Sequence, residues 1–250
     1  MAIQKCLAFV LKREEVRETS ILLTVYTEEF GKLKLISKGV RSPEQRFISP
    51  YEIYSLIEIV FYERKKRGYF LLSQCELIDF FPGIRESLER ISYATYFIEL
   101  LNGVSSLGDK NTKLFDLLSN SLQFLSSKAS PKRVARIFEI KLLSVLGLMP
   151  RIKTCVNCDE KPQSGIERFS LAMGGILCSK CFNADTKARP MLRGTVNFIT
   201  HIENLPFEKV KHIKVATRVG IEVEDVLKNF IYYHLDIRPK SRMFIEKIGV

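Results

Sequence analysis

The stretch that decides how the second half of this chain folds begins with Cys155-Val156-Asn157-Cys158 and ends with Cys178-Ser179-Lys180-Cys181. Each of these is a C-x-x-C pair, and 19 residues separate the two pairs. This spacing is typical of a four-cysteine zinc site, in which each turn presents two thiolates and two turns complete a tetrahedron. Because a complete tetrahedron leaves no position for water, we predict a structural Zn²⁺ ion without catalytic chemistry.

Other interpretations of these cysteines remain open. Disulfides require an oxidising compartment, and nothing in the sequence suggests export. A thioredoxin-like redox site uses a single C-x-x-C pair rather than two. The four thiols could also be unligated. The two remaining cysteines, Cys6 and Cys75, lie in apolar runs, and we expect both to be small buried residues.

The composition indicates a globular protein with a polyanionic partner. The chain has 250 residues, of which 46% are hydrophobic and 27% charged, so it is long enough for two domains and has no signature of disorder. The net charge of +11 and the isoelectric point near 9.4 favour nucleic acid as the partner. The alternative is an ordinary solvated basic surface.

Neither a membrane span nor a secretion signal is expected. No run of apolar residues approaches the length needed to cross a bilayer. The apolar stretch at residues 6–11 is too short for a signal peptide. We therefore expect a cytoplasmic, nucleoid-associated protein without membrane contact, in a compartment where reduced thiols suit zinc.

Residues 1–80 have the pattern of a small β-barrel. Five segments are rich in β-branched, aromatic and leucine residues, and turn-forming residues separate them. The predicted strands are residues 3–12, 20–27, 32–38, 51–62 and 69–77. Because no stretch of helical length interrupts them and the protein is basic, we predict a five-stranded OB-fold nucleic-acid-binding domain.

Residues 81–250 are predicted to be an α-helical domain, which makes the fold class α+β. Apolar residues recur with helical periodicity at 84–102, 112–127, 191–204 and 207–238. A further helix is delimited by Ser130 as a cap, Pro131 in the first turn and Gly147 at the end. The zinc module, at about 151–187, interrupts this helical domain.

Basic residues in the barrel point to a DNA-binding surface. Alternation along the third strand places Lys32, Lys34 and Lys38 on one face, opposite Leu33 and Leu35. The next loop and a hairpin tip add further candidates, which are Arg41, Arg46, Arg64, Lys65, Lys66 and Arg67. A basic strand that continues into a basic loop is typical of a nucleic-acid groove. The alternative is an exposed strand whose lysines protect a sheet edge.

A second basic strip lies around the helix that begins at Pro131. Residues 128–153 contain seven Lys or Arg residues and a single acid, Glu139. The candidate residues of the strip are Lys128, Lys132, Arg133 and Arg136. Such a strip beside apolar residues could bind DNA or an acidic peptide with an apolar end, and a solvated helix face is the alternative.

Catalytic motifs are missing from the sequence. It contains no phosphate-binding glycine loop, no H-E-x-x-H and no G-x-S-x-G, and the three histidines are isolated. We therefore predict a binding protein rather than an enzyme. Two rivals are a DNA ligase, which would need a K-x-D-G motif that is absent, and a zinc-ribbon transcription regulator, which would need a helix-turn-helix that we do not find.

Several stretches, taken together and in order, resemble the bacterial recombination mediator family RecO. The similar stretches are Arg17-Glu18-Thr19-Ser20-Ile21-Leu22-Leu23 followed by Tyr26-Thr27 and Phe30-Gly31-Lys32, Lys38-Gly39-Val40-Arg41-Ser42-Pro43, Leu142-Leu143-Ser144-Val145-Leu146-Gly147-Leu148-Met149-Pro150 before Cys155 and Cys158, Gly174-Gly175-Ile176-Leu177-Cys178, and His234-Leu235 with Arg238-Pro239-Lys240-Ser241-Arg242. The last contains the basic residues of a C-terminal signature, Arg238, Lys240 and Arg242. Where the family often has glycine after the second cysteine, this chain has Asp159, which we expect to loosen the knuckle turn.

The resemblance implies an OB-fold followed by a helical domain with a zinc site. It implies a DNA repair and recombination mediator that binds single- and double-stranded DNA and anneals complementary strands. It also implies two protein partners, RecR and the acidic C-terminal tail of single-strand-binding protein, with which recombinase is loaded onto coated DNA. No covalent bond changes in this activity.

Overall fold

The fold is described from a computed structural model, which covers residues 3–16, 19–38, 50–62, 68–162, 167–210, 213 and 215–249. The chain divides into two compact units. We call Met1–Pro131 together with Pro239–Val250 the barrel unit, and Lys132–Arg238 the cysteine unit. The predicted boundary at residue 80 follows the change from strands to helices, whereas the compact units divide the chain after residue 131.

The barrel unit begins with the predicted five-stranded barrel. Its strands are β1 (Ile3–Val16), β2 (Ser20–Thr27), β3 (Gly31–Ser37), β4 (Leu56–Tyr62) and β5 (Phe70–Asp79). They form a closed barrel in the order β1-β2-β3-β5-β4, in which β1 pairs with β4 and only β3 and β5 run parallel. The fourth strand begins later than predicted. Tyr54 has a φ of 73°, a left-handed conformation that a strand does not accommodate.

The barrel core follows directly from alternation along the strands. Leu33 and Leu35 are buried while Lys34 between them is exposed, as the period of two predicts. Phe61 lies at the centre of the core and packs edge-on against Phe30 and Phe70, with ring centroids 5.5 and 5.3 Å away. The other buried members are Cys6, Ala8, Val10, Ile21, Leu23, Val25, Ile57, Ile59 and Leu72.

Eight helices and a second small sheet follow in the described part of the chain. The helices are α1 (Pro82–Arg85), α2 (Leu88–Val104), α3 (Thr112–Ser126), α4 (Pro131–Val145), α5 (Arg193–Asn204), α6 (Phe207–Val210), α7 (Thr217–His234) and α8 (Lys240–Ile248). The sheet contains β6 (Glu167–Ser170), β7 (Gly175–Leu177) and β8 (Arg189–Met191), with β6 in the centre. No helix in this part of the chain is long and apolar enough to cross a membrane.

The predicted helix at 84–102 is divided into α1 and α2. Ser87 interrupts it with an extended backbone, and its side chain accepts a hydrogen bond from the backbone N–H of Arg90. Such a cap satisfies one of the free N–H groups at a helix start. The predictions for α3 and α4 are confirmed to within two residues, with Gly147 at a φ of 68° just beyond the end of α4.

Helices cover one outer side of the barrel. Phe9 of β1 packs against Phe115 of α3, with ring centroids 5.0 Å apart, and against Phe81 at 6.3 Å. The hydroxyl of Tyr26 donates to the backbone oxygen of Asn111 at 3.2 Å. The middle of β1, residues 8–11, is therefore buried on both faces, one toward the barrel core and one toward the helices.

The last helix returns to the barrel unit. At the start of α8, the backbone N–H and the hydroxyl of Ser241 both donate to one carboxylate oxygen of Glu99 on α2. The sequence predicted no helix beyond residue 238. Lys240–Ile248 nevertheless forms α8, because the Glu99 carboxylate accepts the N–H of Ser241 in its first turn and Ile245 is buried.

Candidate metal centre and basic surfaces

The two C-x-x-C pairs converge as predicted. The Sγ atoms of Cys155, Cys158, Cys178 and Cys181 all lie within 4.8 Å of one another. The Sγ atoms of Cys158 and Cys178 are 3.7 Å apart, far beyond the ~2.05 Å of a disulfide bond. A tetrahedral Zn²⁺ with bonds of about 2.3 Å to sulfur holds its ligands about 3.8 Å apart. The donor set and its spacing therefore fit a metal ion such as zinc.

Backbone hydrogen bonds shape both knuckles. In the first knuckle, the N–H of Asp159 donates to the oxygen of Cys155 at 3.0 Å. In the second, the N–H of Cys181 donates to the oxygen of Cys178 at 2.8 Å. Cys178 precedes a 3-10 helix, Ser179–Ala184, that contains Cys181. Each pair thus presents its two thiols from one tight turn.

Asp159 adopts the conformation that favours glycine. Its φ is 63°, in the left-handed region, where an aspartate is among the tolerated non-glycine residues. Its exposed carboxylate forms an ion pair with Arg151 on the strand-like lead-in to the knuckle. Asp159 therefore provides the turn geometry of a glycine. The expectation that Asp159 loosens the knuckle turn is not met, because its carboxylate adds an ion pair with Arg151.

Gly175 allows the second knuckle to approach the first. A Cβ atom at this position would lie 2.3 Å from the backbone oxygen of Arg151 and 2.4 Å from Cγ1 of Val156. The N–H of Ile176 donates to that same oxygen of Arg151, and the N–H of Val156 donates to the oxygen of Ile176. Because backbone meets backbone here, any side chain would separate the two knuckles.

Hydrogen bonds prepare one thiol for metal binding. Burial raises the pKa of Cys155, but backbone N–H groups of Cys178, Asn157 and Cys158 outweigh it and bring the pKa to about 6. The N–H of Cys178 lies 3.4 Å from the Cys155 sulfur. Because metals bind thiolates, N–H groups aimed at sulfur favour the ligating form.

The predicted basic face of β3 is only partly open. Lys34 and Lys38 are exposed. Lys32 is half-buried, and its Nζ donates to the backbone oxygen of Asn102 at 2.7 Å near the end of α2. Desolvation, followed by repulsion from Lys34, lowers the pKa of Lys32. The structure thus gives Lys32 a role in holding the helix end, where the sequence predicted contact with DNA.

Two lysines that the sequence reasoning missed lie beside this face. The N–H of Gly108 donates to the oxygen of Lys32, and a Cβ on Gly31 would lie 2.8 Å from the nitrogen of Lys110. The α2–α3 loop therefore runs along the β2–β3 turn and carries the exposed side chain of Lys110, and the exposed Lys113 follows in the first turn of α3. No sequence signal announces this, because the loop is about 75 residues away along the chain from the strand it meets.

Six predicted DNA-binding residues lie outside the described residues. These are Arg41, Arg46, Arg64, Lys65, Lys66 and Arg67.

The second basic strip is not an open row of cations. Arg136 is 6% exposed, and its guanidinium lies 2.9 Å from a carboxylate oxygen of the fully buried Glu139. The prediction of Arg136 as a surface contact is therefore wrong, because the arginine neutralises a buried carboxylate inside the cysteine unit. Lys128 and Lys132 are exposed, and Arg133 is half-buried.

The C-terminal signature is also partly internal. Arg242 is 2% exposed, and its guanidinium lies 6.0 Å from the centre of the Tyr96 ring and 3.4 Å from Glu246. Arg242 therefore anchors α8 in the barrel unit. Arg238 and Lys240 are exposed.

Comparison with known proteins covers nearly the whole chain. A family model described as "Recombination protein O N terminal" matches residues 1–81, and one described as "Recombination protein O C terminal" matches residues 85–243. The chain is 33% identical over 241 residues to the DNA repair protein RecO of Moorella thermoacetica, covering 96% of this chain and 89% of that protein.

Other relatives agree. The DNA repair protein RecO of Pelotomaculum thermopropionicum is 30% identical over 249 residues, covering 100% of this chain and 96% of that protein. That of Alkaliphilus metalliredigens is 30% identical over 229 residues, covering 91% and 92%. The predicted resemblance is confirmed. The two family models together match the residues that form the closed five-stranded barrel, most of the helices and the cluster of four cysteines, so the chain belongs to the RecO family of DNA repair proteins.

Proposed function

We propose that this protein is a non-enzymatic recombination mediator. It binds single- and double-stranded DNA, anneals complementary strands and, with RecR, helps load recombinase onto DNA coated with single-strand-binding protein. The observation that carries the proposal is the match to both RecO family models over residues 1–81 and 85–243. The protein acts next to nucleoid DNA in the cytoplasm.

The outer side of β3 supports DNA binding by the barrel. Lys34 and Lys38 are exposed there, and the half-exposed Ile36 lies between them on the same face. Lysines contact phosphates, while apolar side chains between them can contact bases. The opposite side of the barrel differs, because Lys5 is paired with Glu58 at 2.7 Å and thereby neutralised. We therefore place the DNA on the β3 side, with Lys110 and Lys113 as further contacts.

The cysteine cluster would hold Zn²⁺ as a structural ion. Four sulfur ligands complete the coordination shell, so the ion supplies folding free energy and leaves no site for a substrate. We propose that the acidic tail of single-strand-binding protein contacts Lys132 and Arg133. Arg136 is removed from this set because it is buried.

The test of DNA binding is a matched pair of charge reversals in the barrel unit. We expect Lys34→Glu to weaken single-strand binding about tenfold at low salt and to reduce the slope of log K against log[salt] by about 0.7 for the lost phosphate contact. Lys247→Glu, on the exposed side of α8, makes the same change of charge and should leave both quantities nearly unchanged. Fluorescence anisotropy with a labelled oligonucleotide measures both.

Annealing tests the mediator activity itself. Complementary strands coated with single-strand-binding protein are mixed without nucleotide, and the partner is either intact or lacks its acidic tail. Annealing that requires the tail supports the proposal. DNA binding without annealing under any of these conditions would leave only a DNA-binding protein and refute the mediator function.

A further inference from the structure

The four candidate metal ligands differ in their access to solvent. Cys158 is exposed and Cys181 is partly buried, whereas Cys155 and Cys178 are only 0% and 7% exposed. Oxidation of a cysteine follows its thiolate character and its exposure. Because a metal ion binds all four sulfurs as thiolates, exposure is what distinguishes them. An oxidant that arrives from solvent therefore meets Cys158 first.

A sulfur of the other knuckle lies close to this exposed thiol. The Sγ atoms of Cys158 and Cys178 are 3.7 Å apart. Bonded sulfurs are about 2.05 Å apart, so a movement of about 1.7 Å would bring the two together, which is within the reach of side-chain rotation. Each knuckle would contribute one sulfur to this bond, and the bond would therefore cross-link the two knuckles.

Hydrogen bonds hold the other two sulfurs in place. The backbone N–H of Cys178 lies 3.4 Å from the sulfur of Cys155. The side-chain amide of Asn157 donates to the sulfur of Cys181 at 3.3 Å. Moving either sulfur toward Cys158 would stretch a hydrogen bond, which costs free energy. The geometry therefore favours Cys178 as the partner of Cys158.

An ion pair joins the same two knuckles. The Nζ atom of Lys180, two residues after Cys178, lies 3.2 Å from the carboxylate of Glu160, two residues after Cys158. The charge of Lys180 is within electrostatic reach of the sulfurs of both cysteines. A nearby cation favours the thiolate, which is the nucleophilic form of cysteine.

We propose that Cys158 is the site at which hydroperoxides oxidise this protein, and that the product is a disulfide with Cys178 that releases the metal ion. The inference rests on the proposed zinc site and adds a chemical property to it. The Cys158 thiolate attacks one oxygen of hydrogen peroxide, which gives a sulfenic acid and one hydroxide. The Cys178 thiolate then attacks the sulfenic sulfur, so that the S–S bond forms as the S–O bond breaks. The two sulfurs lose two electrons, and the peroxide takes them up with two protons and becomes two water molecules.

The cross-link should make the loss of metal reversible. After oxidation, Cys155 and Cys181 are the remaining thiolates, and two donors are too few for a four-coordinate structural site. The disulfide meanwhile keeps the two knuckles together. Reduction by a dithiol, which is itself oxidised to a cyclic disulfide, returns four thiols to one place. The cysteine unit can therefore bind the ion again without a search for the correct pairing.

Peroxide treatment of the whole metal-loaded protein tests the inference. A chromogenic chelator measures the zinc released, and alkylation followed by mass spectrometry maps the remaining thiols. We expect zinc release in proportion to disulfide formation, and renewed zinc binding after dithiothreitol is added. Cys6 serves as an internal standard, because burial is the main cause that raises its pKa to about 12 and keeps it a thiol. Cys158 should lose its thiol at least about tenfold faster than Cys6.

Trypsin identifies the cysteines that are joined. Cleavage after Lys180 separates the two cysteines of the second C-x-x-C pair. The expected cross-linked product joins the peptides 154–168 and 169–180, and fragmentation should place the bond between Cys158 and Cys178. A disulfide within one C-x-x-C pair would refute the assignment.

Two histidine variants form a matched pair. Imidazole is an accepted zinc donor, so Cys158→His and Cys181→His should both retain the metal. We expect peroxide to release zinc from Cys158→His at least about tenfold more slowly than from the unsubstituted protein. Cys181→His should still form the bond between Cys158 and Cys178. Equal rates of release from Cys158→His and the unsubstituted protein would contradict the inference. The peptide map of the unsubstituted protein decides the question even if a variant loses its metal.

The outcomes separate the oxidation site from the proposed zinc site. If the isolated protein contains no zinc by metal analysis, the proposed structural ion fails. If zinc is present, and peroxide releases none or releases it while Cys158 remains a thiol, the oxidation site is refuted and the proposed zinc site stands.

Discussion

The barrel and the cysteine knuckles differ in the interactions that can stabilise them. The barrel core has twelve buried residues of predominantly aliphatic and aromatic character. Among the described residues, the core around the knuckles has four buried members, Cys155, Leu177, Cys178 and Ala188, of which two are metal-ligand candidates. A segment with so little apolar surface to bury depends on other bonds. The comparison teaches that the barrel folds by burial of apolar side chains, whereas the knuckles offer four clustered cysteines, which a metal ion could hold together, in place of a sizeable core.

Removal of the candidate metal ligands should have the largest effect on the difference in stability between the knuckles and the barrel. We expect Cys155→Ser with Cys158→Ser to abolish metal binding and to unfold the knuckles, because a structural zinc ion contributes on the order of 10 kcal/mol to such a site. Hydrogen exchange should become fast in β6, β7 and β8 and remain slow in β1–β5. Cys75→Ser, outside the cluster, is the control. Slow exchange throughout the metal-free variant would contradict a folding role for the ion.

A cavity in the barrel core should have the converse effect. Phe61 is 2% exposed, and we expect Phe61→Ala to lower the free energy of unfolding of the barrel unit by about 3–5 kcal/mol. Denaturant unfolding followed by exchange in β1–β5 measures this loss. Phe244→Ala, at a position that is 42% exposed, should cost far less. The metal content of the Phe61→Ala protein should stay at the original level, and loss of the metal would show that the two units do not fold independently.

Loss of a single helix cap should show that α8 belongs to the barrel unit. Glu99→Gln removes the charged acceptor of two hydrogen bonds from Ser241, and we expect a loss of about 1.5–3 kcal/mol. The effect should appear in exchange of the barrel unit, although Ser241 follows the whole cysteine unit in the sequence. Glu86→Gln, at an exposed position before α2, is the control. A loss seen in α5 and α7 in place of the barrel unit would argue against the observed docking of α8.

The smallest expected effect is a pH dependence in the cysteine unit. Hydrogen bonds from the Ser170 hydroxyl and from the N–H of Lys187 lower the pKa of Asp185 below its ordinary value of 3.8. A carboxyl group with a lowered pKa stabilises the folded state above its unfolded pKa, and that contribution is lost as the pH falls through the folded value. Asp185→Asn should therefore be less stable than the parent at pH 6 and should approach it below pH 3.8. Unfolding at both pH values tests this, with Asp116→Asn as the control, and a constant difference would refute it.

Regular patterns in the sequence predicted much of this fold. Alternation at Leu33, Lys34 and Leu35 fixed the inner and outer faces of β3, because a strand presents successive side chains to opposite sides. The spacing of the four cysteines was enough to place them together, because a C-x-x-C turn brings its own two thiols close. The start of α4 at Pro131 followed from local capping and backbone preferences.

The prediction failed where a basic residue was assumed to be exposed because its burial could not be seen in the sequence. Arg136 was predicted as a contact for DNA or an acidic peptide, yet it is buried beside the carboxylate of Glu139. The sequence does not distinguish an arginine that faces solvent from one that neutralises the buried Glu139. Only the packing of α4 within its unit reveals which is the case.

The sequence by itself therefore determined the strands of the barrel, most of the helices, the four candidate metal ligands and the family. These follow from local periodicity, from short motifs and from their order along the chain. Only the tertiary structure decided that Lys32 holds the end of α2, that Lys110 lies beside the β2–β3 turn and that α8 rejoins the barrel unit. Each depends on contacts between residues that are far apart in the sequence, and local propensity does not predict such contacts.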